Sequence, residues 1–384
     1  MRFEFATTTR IIFGAGTLRD IGAVAKQFGC CALLVTGRDS RRAEPLVALL
    51  REQAIITVPF SLFGEPEVAT IQQAITLGRT RKCDLVISLG GGSALDAGKA
   101  IAAMLTNPGE LLDYLEVIGR GKSLTQPSAP FIAIPTTAGT GSEVTRNAVL
   151  ASAEHRVKVS LRSPLMLPRL ALIDPELTYS LPPAITARTG LDALTQLIEP
   201  YVCARANPMT DALCIEGIGR VGRSLRAAFR EGGNITARQD MAVASLFGGL
   251  ALANAGLGAV HGFAGPIGGM FPAPHGAICA ALLPHVMRAN VNALRQRQPG
   301  SETLARYDHL AQLLSGKPGA KTDAGIESVK TLLADLRIPG LATYGVTRDH
   351  KAELVEKGAQ ASSMKTNPIA LTREELGEVL EHAL

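Results

Sequence analysis

The chain runs to 384 residues, 46% hydrophobic and 19% charged, with a formal net charge of +5. These values exclude an intrinsically disordered chain, and the length suits two domains with sizeable cores. No basic stretch interleaves with aromatic residues, so nucleic acid is not an expected partner. Six cysteines without a CxxC pair fit reduced, mostly buried thiols in a cytoplasmic protein, and MRFEFATTTR at the amino terminus lacks the apolar stretch of an export signal.

In chain order, FEF and RIIF separated by ATTT predict a small antiparallel hairpin. Apolar or β-branched runs at 32–36, 55–59, 84–89, 131–135 and 170–173 then read as strands, with helical patterns such as 67–79 and 93–105 between them. Strands alternating with helices predict a parallel sheet with right-handed crossovers. From Pro183 onward the periodicity is helical, at 185–202, 208–229, 237–255, 278–291, 303–314, 325–336 and 373–383. The change falls at LTYSLPPAIT, where two prolines precede a new helix. The predicted domains are therefore an α/β nucleotide-binding unit at 1–181 and an all-α unit at 182–384.

Residues 241–287 contain no Lys, Arg, Asp or Glu, yet they hold His261, His275 and His285. A run that avoids charge is built for the interior, where an imidazole needs a hydrogen bond, a carboxylate or a metal. Residues 242–260 are long enough to span a membrane. They are also rich in small residues, include Asn254 and four glycines, and run into a Gly/Pro-broken turn without a basic flank or aromatic belt; a buried helix and no membrane association are expected.

Residues 84–89 lead directly into Gly90, Gly91, Gly92 and Ser93 and then a helix. Glycines let the backbone approach a pyrophosphate closely, and the free N–H groups of a helix start supply donors. The spacing is not GxGxxG, and a turn of this kind also serves as a plain strand-to-helix connection. Residues 131–135 repeat the design, leading into Thr136, Thr137, Ala138, Gly139, Thr140, Gly141, Ser142 and Glu143. Open α/β sheets bind ligands at the carboxyl ends of such strands.

GGGSALDAGKA at 90–100, PTTAGTGSEVT at 135–145, DPELT at 174–178, GLDALTQLIEPYV at 190–202, and NAGLGAVHGFAGPIGG with PHG at 254–276 occur in this order. In these blocks the chain resembles the iron-containing (group III) alcohol dehydrogenases, which share their fold with glycerol dehydrogenase and dehydroquinate synthase. The resemblance implies an oxidoreductase that moves a hydride between NAD(P)(H) and a small alcohol, aldehyde or ketone, with a divalent Fe2+ or Zn2+, as a homodimer in the cytoplasm. Carried over, Gly90, Gly91, Gly92 and Ser93 would hold the pyrophosphate. Thr136, Thr137 and Ser142 would surround the nucleotide, with Asp96 and Lys158 near the nicotinamide and its ribose. The metal ligands would fall on Asp192, Gln196, His261 and His275, with Asp192, His261 and His275 serving catalysis.

Two departures bear on that transfer: the family usually has His where this chain has Gln196 and Gly265. An amide oxygen is a weaker ligand than imidazole for Fe(II) or Zn(II), which leaves three strong ligands, the number a catalytic zinc uses. No proton relay can run through position 265, and Gly265 leaves room for a bulkier substrate. For cofactor choice, the first strand ends VTG, and Gly37 is followed by Arg38, Asp39, Ser40, Arg41 and Arg42. Arginines beside a 2'-phosphate favour NADP, while Asp39 could serve as an N-cap or as a ribose ligand for NAD. Two other activities stay open. One is a metal-independent carbonyl-acid reductase resembling maleylacetate reductase. The other is an NAD-using cyclase like dehydroquinate synthase, which the charge-free 241–287 segment disfavours because its phosphorylated acid substrate needs a cationic pocket.

Overall fold

The structure is a computed structural model, and it describes residues 2–155 and 157–384. Its first half holds β1 (Ile11–Phe13), α1 (Ile21–Ala25), β2 (Cys31–Thr36), α2 (Glu44–Glu52), β3 (Ile56–Ser61), α3 (Val68–Thr80), β4 (Leu85–Gly90), α4 (Gly92–Thr106), β5 (Phe131–Pro135), β6 (Asn147–Ser152), β7 (Val157–Arg162) and β8 (Leu170–Ile173). Six strands make one wholly parallel sheet in the order β1-β8-β5-β4-β2-β3. Alternate residues feed opposite faces: Leu33, Val35, Val86, Phe131 and Ala133 join one apolar cluster, and Ala32, Leu34, Ile87, Ile132 and Ile134 the other. A sheet buried on both faces reads as continuous apolar runs, which is why these strands stand out in the sequence. From β2 the chain crosses to β3 on one side and returns through α3 to β4 on the other. The strand order therefore reverses between β2 and β4.

The remaining helices are α5 (Pro183–Val202), α6 (Pro208–Arg230), α7 (Ile235–Asn254), α8 (Ala259–Met270), α9 (His275–Arg297), α10 (Glu302–Ser315), α11 (Thr322–Asp335), α12 (Lys351–Gln360) and α13 (Arg373–Ala383). They surround their own core, to which α5 contributes Leu191, Leu194, Leu197 and Ile198, and α9 contributes Ile278, Leu282 and Leu283. The chain divides into a sheet unit of residues 7–137 with 141–179, and a helical unit of residues 2–6, 138–140 and 180–384. The amino-terminal segment is fastened to α7 by one side chain. Asn254 Oδ1 accepts the Ala6 N–H at 2.6 Å, and Asn254 Nδ2 donates to the Ala6 carbonyl at 3.0 Å.

Three features differ from the sequence reading. The expected amino-terminal hairpin is absent: β1 pairs in parallel with β8, and the Ala6 backbone is taken by Asn254. The segment read as a Gly/Pro-broken turn is helix α8, despite four glycines and Pro266, because Val260, Phe263, Ala264 and Ile267 are fully buried and packing outweighs propensity. The β6–β7 antiparallel pair was not anticipated. The apolar run is split between α7 and α8, bent by 99°, and no single helix among the described residues is long and apolar enough to cross a membrane.

Candidate active site

On the sheet unit, β2, β4 and β5 finish level, with Thr36 opposite Leu89 and Gly90 opposite Pro135. A strand-order reversal opens a crevice beyond the carboxyl ends of the strands that flank it, and the sequence-predicted residues Gly37, Gly90 to Ser93, Thr136 and Thr137 gather there. Thr136 donates its N–H to the Gly90 carbonyl at 2.9 Å. A Cβ on Gly90 would lie 2.5 Å from the Ala94 Cβ, so only glycine fits, and 3.8 Å from the Gly37 nitrogen. Ala94 and Leu95 both donate to the Gly91 carbonyl, and the Gly92 and Ser93 N–H groups ahead of them have no carbonyl a turn earlier in the helix to accept them.

Asp96 and Ser142 are brought together: the Ser142 hydroxyl donates to Asp96 at 2.5 Å, and the same carboxylate accepts the Val149 N–H at 3.0 Å and pairs with Lys99 at 3.0 Å. Asp96 thus ties α4 to β6 and to the loop that follows β5. Lys99, itself buried, also donates to the Ser142 carbonyl and the Thr145 hydroxyl. Beside it, burial pushes the Glu143 carboxyl up to about 7, and Glu143 Oε2 has no hydrogen-bond partner among the described residues. Lys158 lies on β7, paired with Glu65 at 3.1 Å. Asp39 acts as an N-cap, accepting from the Arg41 backbone N–H and from Arg41 Nε at 2.9 Å, while Arg38 is exposed.

In the helical unit, Asp192, Gln196 and Glu199 share one face of α5 at i, i+4 and i+7, all buried. They meet His261 from the first turn of α8 and His275 from the start of α9. Asp192 Oδ1 lies 3.7 Å from His261 Nε2 and 3.6 Å from His275 Nε2. These separations exceed N–H···O hydrogen-bond length, and Asp192 Oδ1 is a buried oxygen without a hydrogen-bond partner among the described residues. Converging oxygen and nitrogen lone pairs at such spacing fit a divalent ion. Gln196 stands beside Asp192, its Oε1 also buried and unpartnered.

Two residues at this site were missed by sequence reasoning. Glu199 accepts the Val260 N–H at 2.7 Å and binds His261 Nδ1 at 2.6 Å. A carboxylate on Nδ1 assigns the ring proton to that nitrogen and turns the Nε2 lone pair toward Asp192, as the outer partner of a metal-binding histidine does. Its signal was the i+7 spacing from Asp192. Cys279, i+4 from His275 and fully buried, places Sγ 3.6 Å from His275 Nε2 and 3.8 Å from His261 Nε2. Burial works to raise the thiol's pKa, and the imidazoles of His275 and His261 outweigh it and hold the thiol below its ordinary value. Burial likewise works to raise the Asp192 carboxyl, and the same two imidazoles keep it low. On His261 burial disfavours the cation, but Cys279, Asp192 and Glu199 pull the pKa well up, so a metal ion entering the cluster displaces protons.

The iron-containing alcohol dehydrogenase family model matches residues 8–175, and its C-terminal counterpart matches residues 186–384. A 1,3-propanediol dehydrogenase of Citrobacter freundii is 34% identical over 99% of this chain and 98% of its own. The NAD-dependent methanol dehydrogenase of Bacillus methanolicus is 32% identical over 97% of both. A crystal structure of 1,3-propanediol oxidoreductase superposes with a TM-score of 0.92 at 33% identity, covering 100% of both chains. The resemblance read from the loop and ligand motifs thus extends across both units, and the chain belongs to the iron-containing alcohol dehydrogenase family.

Proposed function

We infer that the protein is an NAD(P)-dependent alcohol dehydrogenase in which Asp192, His261 and His275 hold a divalent ion, Fe2+ or Zn2+, for a small alcohol, aldehyde or ketone. The convergence of Asp192 Oδ1, His261 Nε2 and His275 Nε2, with Glu199 fixing the His261 ring, carries this reading. An ion held there would polarise the substrate oxygen and favour negative charge on it. The His275 side chain is 37% exposed while Asp192 and His261 are enclosed, so the substrate oxygen approaches along the His275 edge. Gly265, one turn after His261 on α8, has nothing among the described residues within 4 Å of where a Cβ would stand, which supports acceptance of a bulkier substrate. The test is an anaerobic screen of alcohols and carbonyl compounds with both cofactors, after chelation and readdition of Fe(II), Zn(II), Mn(II) or Ni(II). Full activity in chelator with no bound metal replaces this reading with a metal-independent carbonyl-acid reductase.

We further propose that Gly90 to Ser93 take the cofactor pyrophosphate, with Thr136, Thr137 and Ser142 alongside. A Cβ on Gly91 would already touch the Thr137 side chain at 3.4 Å, so the branches of Gly91→Val crowd both Thr137 and the approaching phosphates. The variant binds cofactor at least about tenfold more weakly, a loss of about 1.4 kcal/mol, and its helical unit stays folded; fluorescence titration with cofactor and circular dichroism check both. NADP is the proposed preference. Arg41 is engaged by Asp39, and exposed Arg38, next to Gly37 after β2, offers a cation for a 2'-phosphate. Arg38→Ala weakens NADP by about tenfold, near the strength of one charge-assisted hydrogen bond, and leaves NAD unchanged. Equal losses for both cofactors reduce the arginine to a surface charge.

A homodimer in the cytoplasm completes the proposal. Edge strand β1 presents a half-exposed Phe13, and exposed edges invite pairing with a second copy.

A further inference from the structure

We propose that Cys279 is the fourth protein ligand of the ion, in place of Gln196, which makes the site an oxygen, nitrogen, nitrogen, sulfur centre for a zinc-class ion. The proposal rests on the reading that Asp192, His261 and His275 hold a metal.

The four donor atoms come from three helices and lie within 4.8 Å of one another. Ligands on a tetrahedral zinc, at the usual metal–oxygen, metal–nitrogen and metal–sulfur lengths, stand about 3.3–3.6 Å apart. The Cys279 Sγ separations of 3.6 and 3.8 Å and the Asp192 Oδ1 separations of 3.6 and 3.7 Å lie at or just beyond that range. The other two separations are bounded by 4.8 Å, so closing the cage draws the four donors inward. His275 and Cys279 occupy successive turns of α9, so one helix face delivers both.

The surroundings of the sulfur set it apart from the buried thiol of Cys203. Cys203 Sγ donates to the Ala255 carbonyl and accepts the Arg205 N–H, which is how a structural thiol is satisfied. Among the described residues, Cys279 Sγ has only the Nε2 atoms of two imidazoles, and one of those rings is already turned to present a lone pair by Glu199.

Gln196 is the rival ligand. Its Oε1 lies 3.7 Å from where a Gly248 Cβ would stand, and it is a neutral amide oxygen. A thiolate is the stronger and softer donor, and softness selects zinc over the harder divalent ions that suit carboxylate and amide oxygens. With sulfur supplied by α9, the protein offers four ligands without the family's histidine at 196, and a substrate oxygen would join as a fifth, an expansion open to catalytic zinc.

The test uses the full-length protein, stripped of metal and titrated anaerobically with Co(II) as a spectroscopic stand-in for zinc. Wild type is expected to show thiolate-to-cobalt charge-transfer absorption in the near ultraviolet together with the intense d–d bands of a tetrahedral ion. Cys279→Ser should lose the charge-transfer band, and its zinc affinity, measured against a chromophoric chelator, should fall by more than about 100-fold, beyond the loss typical of an outer-sphere partner. Gln196→Leu should keep the band. Circular dichroism confirms folding, and if both Cys279→Ser and Cys279→Ala fail to fold, the wild-type spectrum alone decides. Cobalt binding without the charge-transfer band, or unchanged zinc affinity in a folded Cys279→Ser, overturns Cys279 as a ligand and leaves the three-ligand reading standing. No binding of cobalt or zinc by wild type overturns both.

Discussion

Glu199→Gln is expected to lower divalent-metal affinity about 10- to 100-fold and to reduce turnover at limiting metal in proportion. The native carboxylate accepts two donors, the Val260 N–H at 2.7 Å and His261 Nδ1 at 2.6 Å. A carboxamide of the same shape has one oxygen and one NH2. If the oxygen keeps Val260, the NH2 faces Nδ1, which must then become an acceptor, and the ring proton moves to Nε2, the nitrogen aimed at Asp192. If the amide turns over, two donors confront each other at Val260. Either arrangement spoils the ligand tautomer of His261 without removing a ligand or opening a cavity, so the fold survives. Chelator competition measures the affinity directly. Thermal unfolding at fixed metal provides a second readout, because the stabilisation by bound metal shrinks by about 1.4–2.7 kcal/mol for a 10- to 100-fold weaker site.

Glu143→Gln is expected to flatten the fall in stability with rising pH. Burial, the dominant cause, pushes the Glu143 carboxyl up to about 7 in the folded chain, against an ordinary value of 4.5. An acid with a raised folded pKa favours the native state fully below its unfolded pKa, and that contribution is lost as the pH rises through about 7. The difference amounts to about 3 kcal/mol at 1.36 kcal/mol per pKa unit. Glutamine is neutral throughout and keeps the shape. The variant should therefore be more stable than wild type at pH 8 to 9 and similar near pH 4. Denaturant titrations across that range check it, and parallel curves for the two proteins contradict the buried-acid argument.

The fold was legible where burial and chain direction leave a local imprint. Strands β2, β4, β5 and β8 are apolar on both faces, and each stands out as an unbroken run. β1 was read as a strand but with the wrong partner, because its three residues are fixed by β8 far along the chain, and short alternation cannot distinguish a parallel partner from a hairpin mate. Helix α8 was hidden by its own glycines and proline, whose poor propensity is overridden by contacts that only the assembled core supplies. At the site, Asp192 and Gln196 were visible through helical spacing and His261 and His275 through their charge-free setting. Glu199 and Cys279 were not. A glutamate on a helix and a cysteine in an apolar run have ordinary meanings in isolation, and their roles arise from where α5, α8 and α9 meet.

The clamp of Asn254 on Ala6 bears on how the polypeptide can assemble as it is made. The two residues are 248 positions apart, so the Ala6 segment, which precedes the sheet unit in the chain, cannot complete its hydrogen bonds during synthesis until α7 has followed it. The sheet unit, whose strands all lie between them, has every opportunity to form first, while the helical unit closes late across a long loop. It follows that a gene fragment beginning at residue 180 yields helices that lack their amino-terminal piece. The Asn254 carboxamide then loses the Ala6 backbone as a partner on both its oxygen and its nitrogen, which makes such a fragment a poor vehicle for isolating the metal centre.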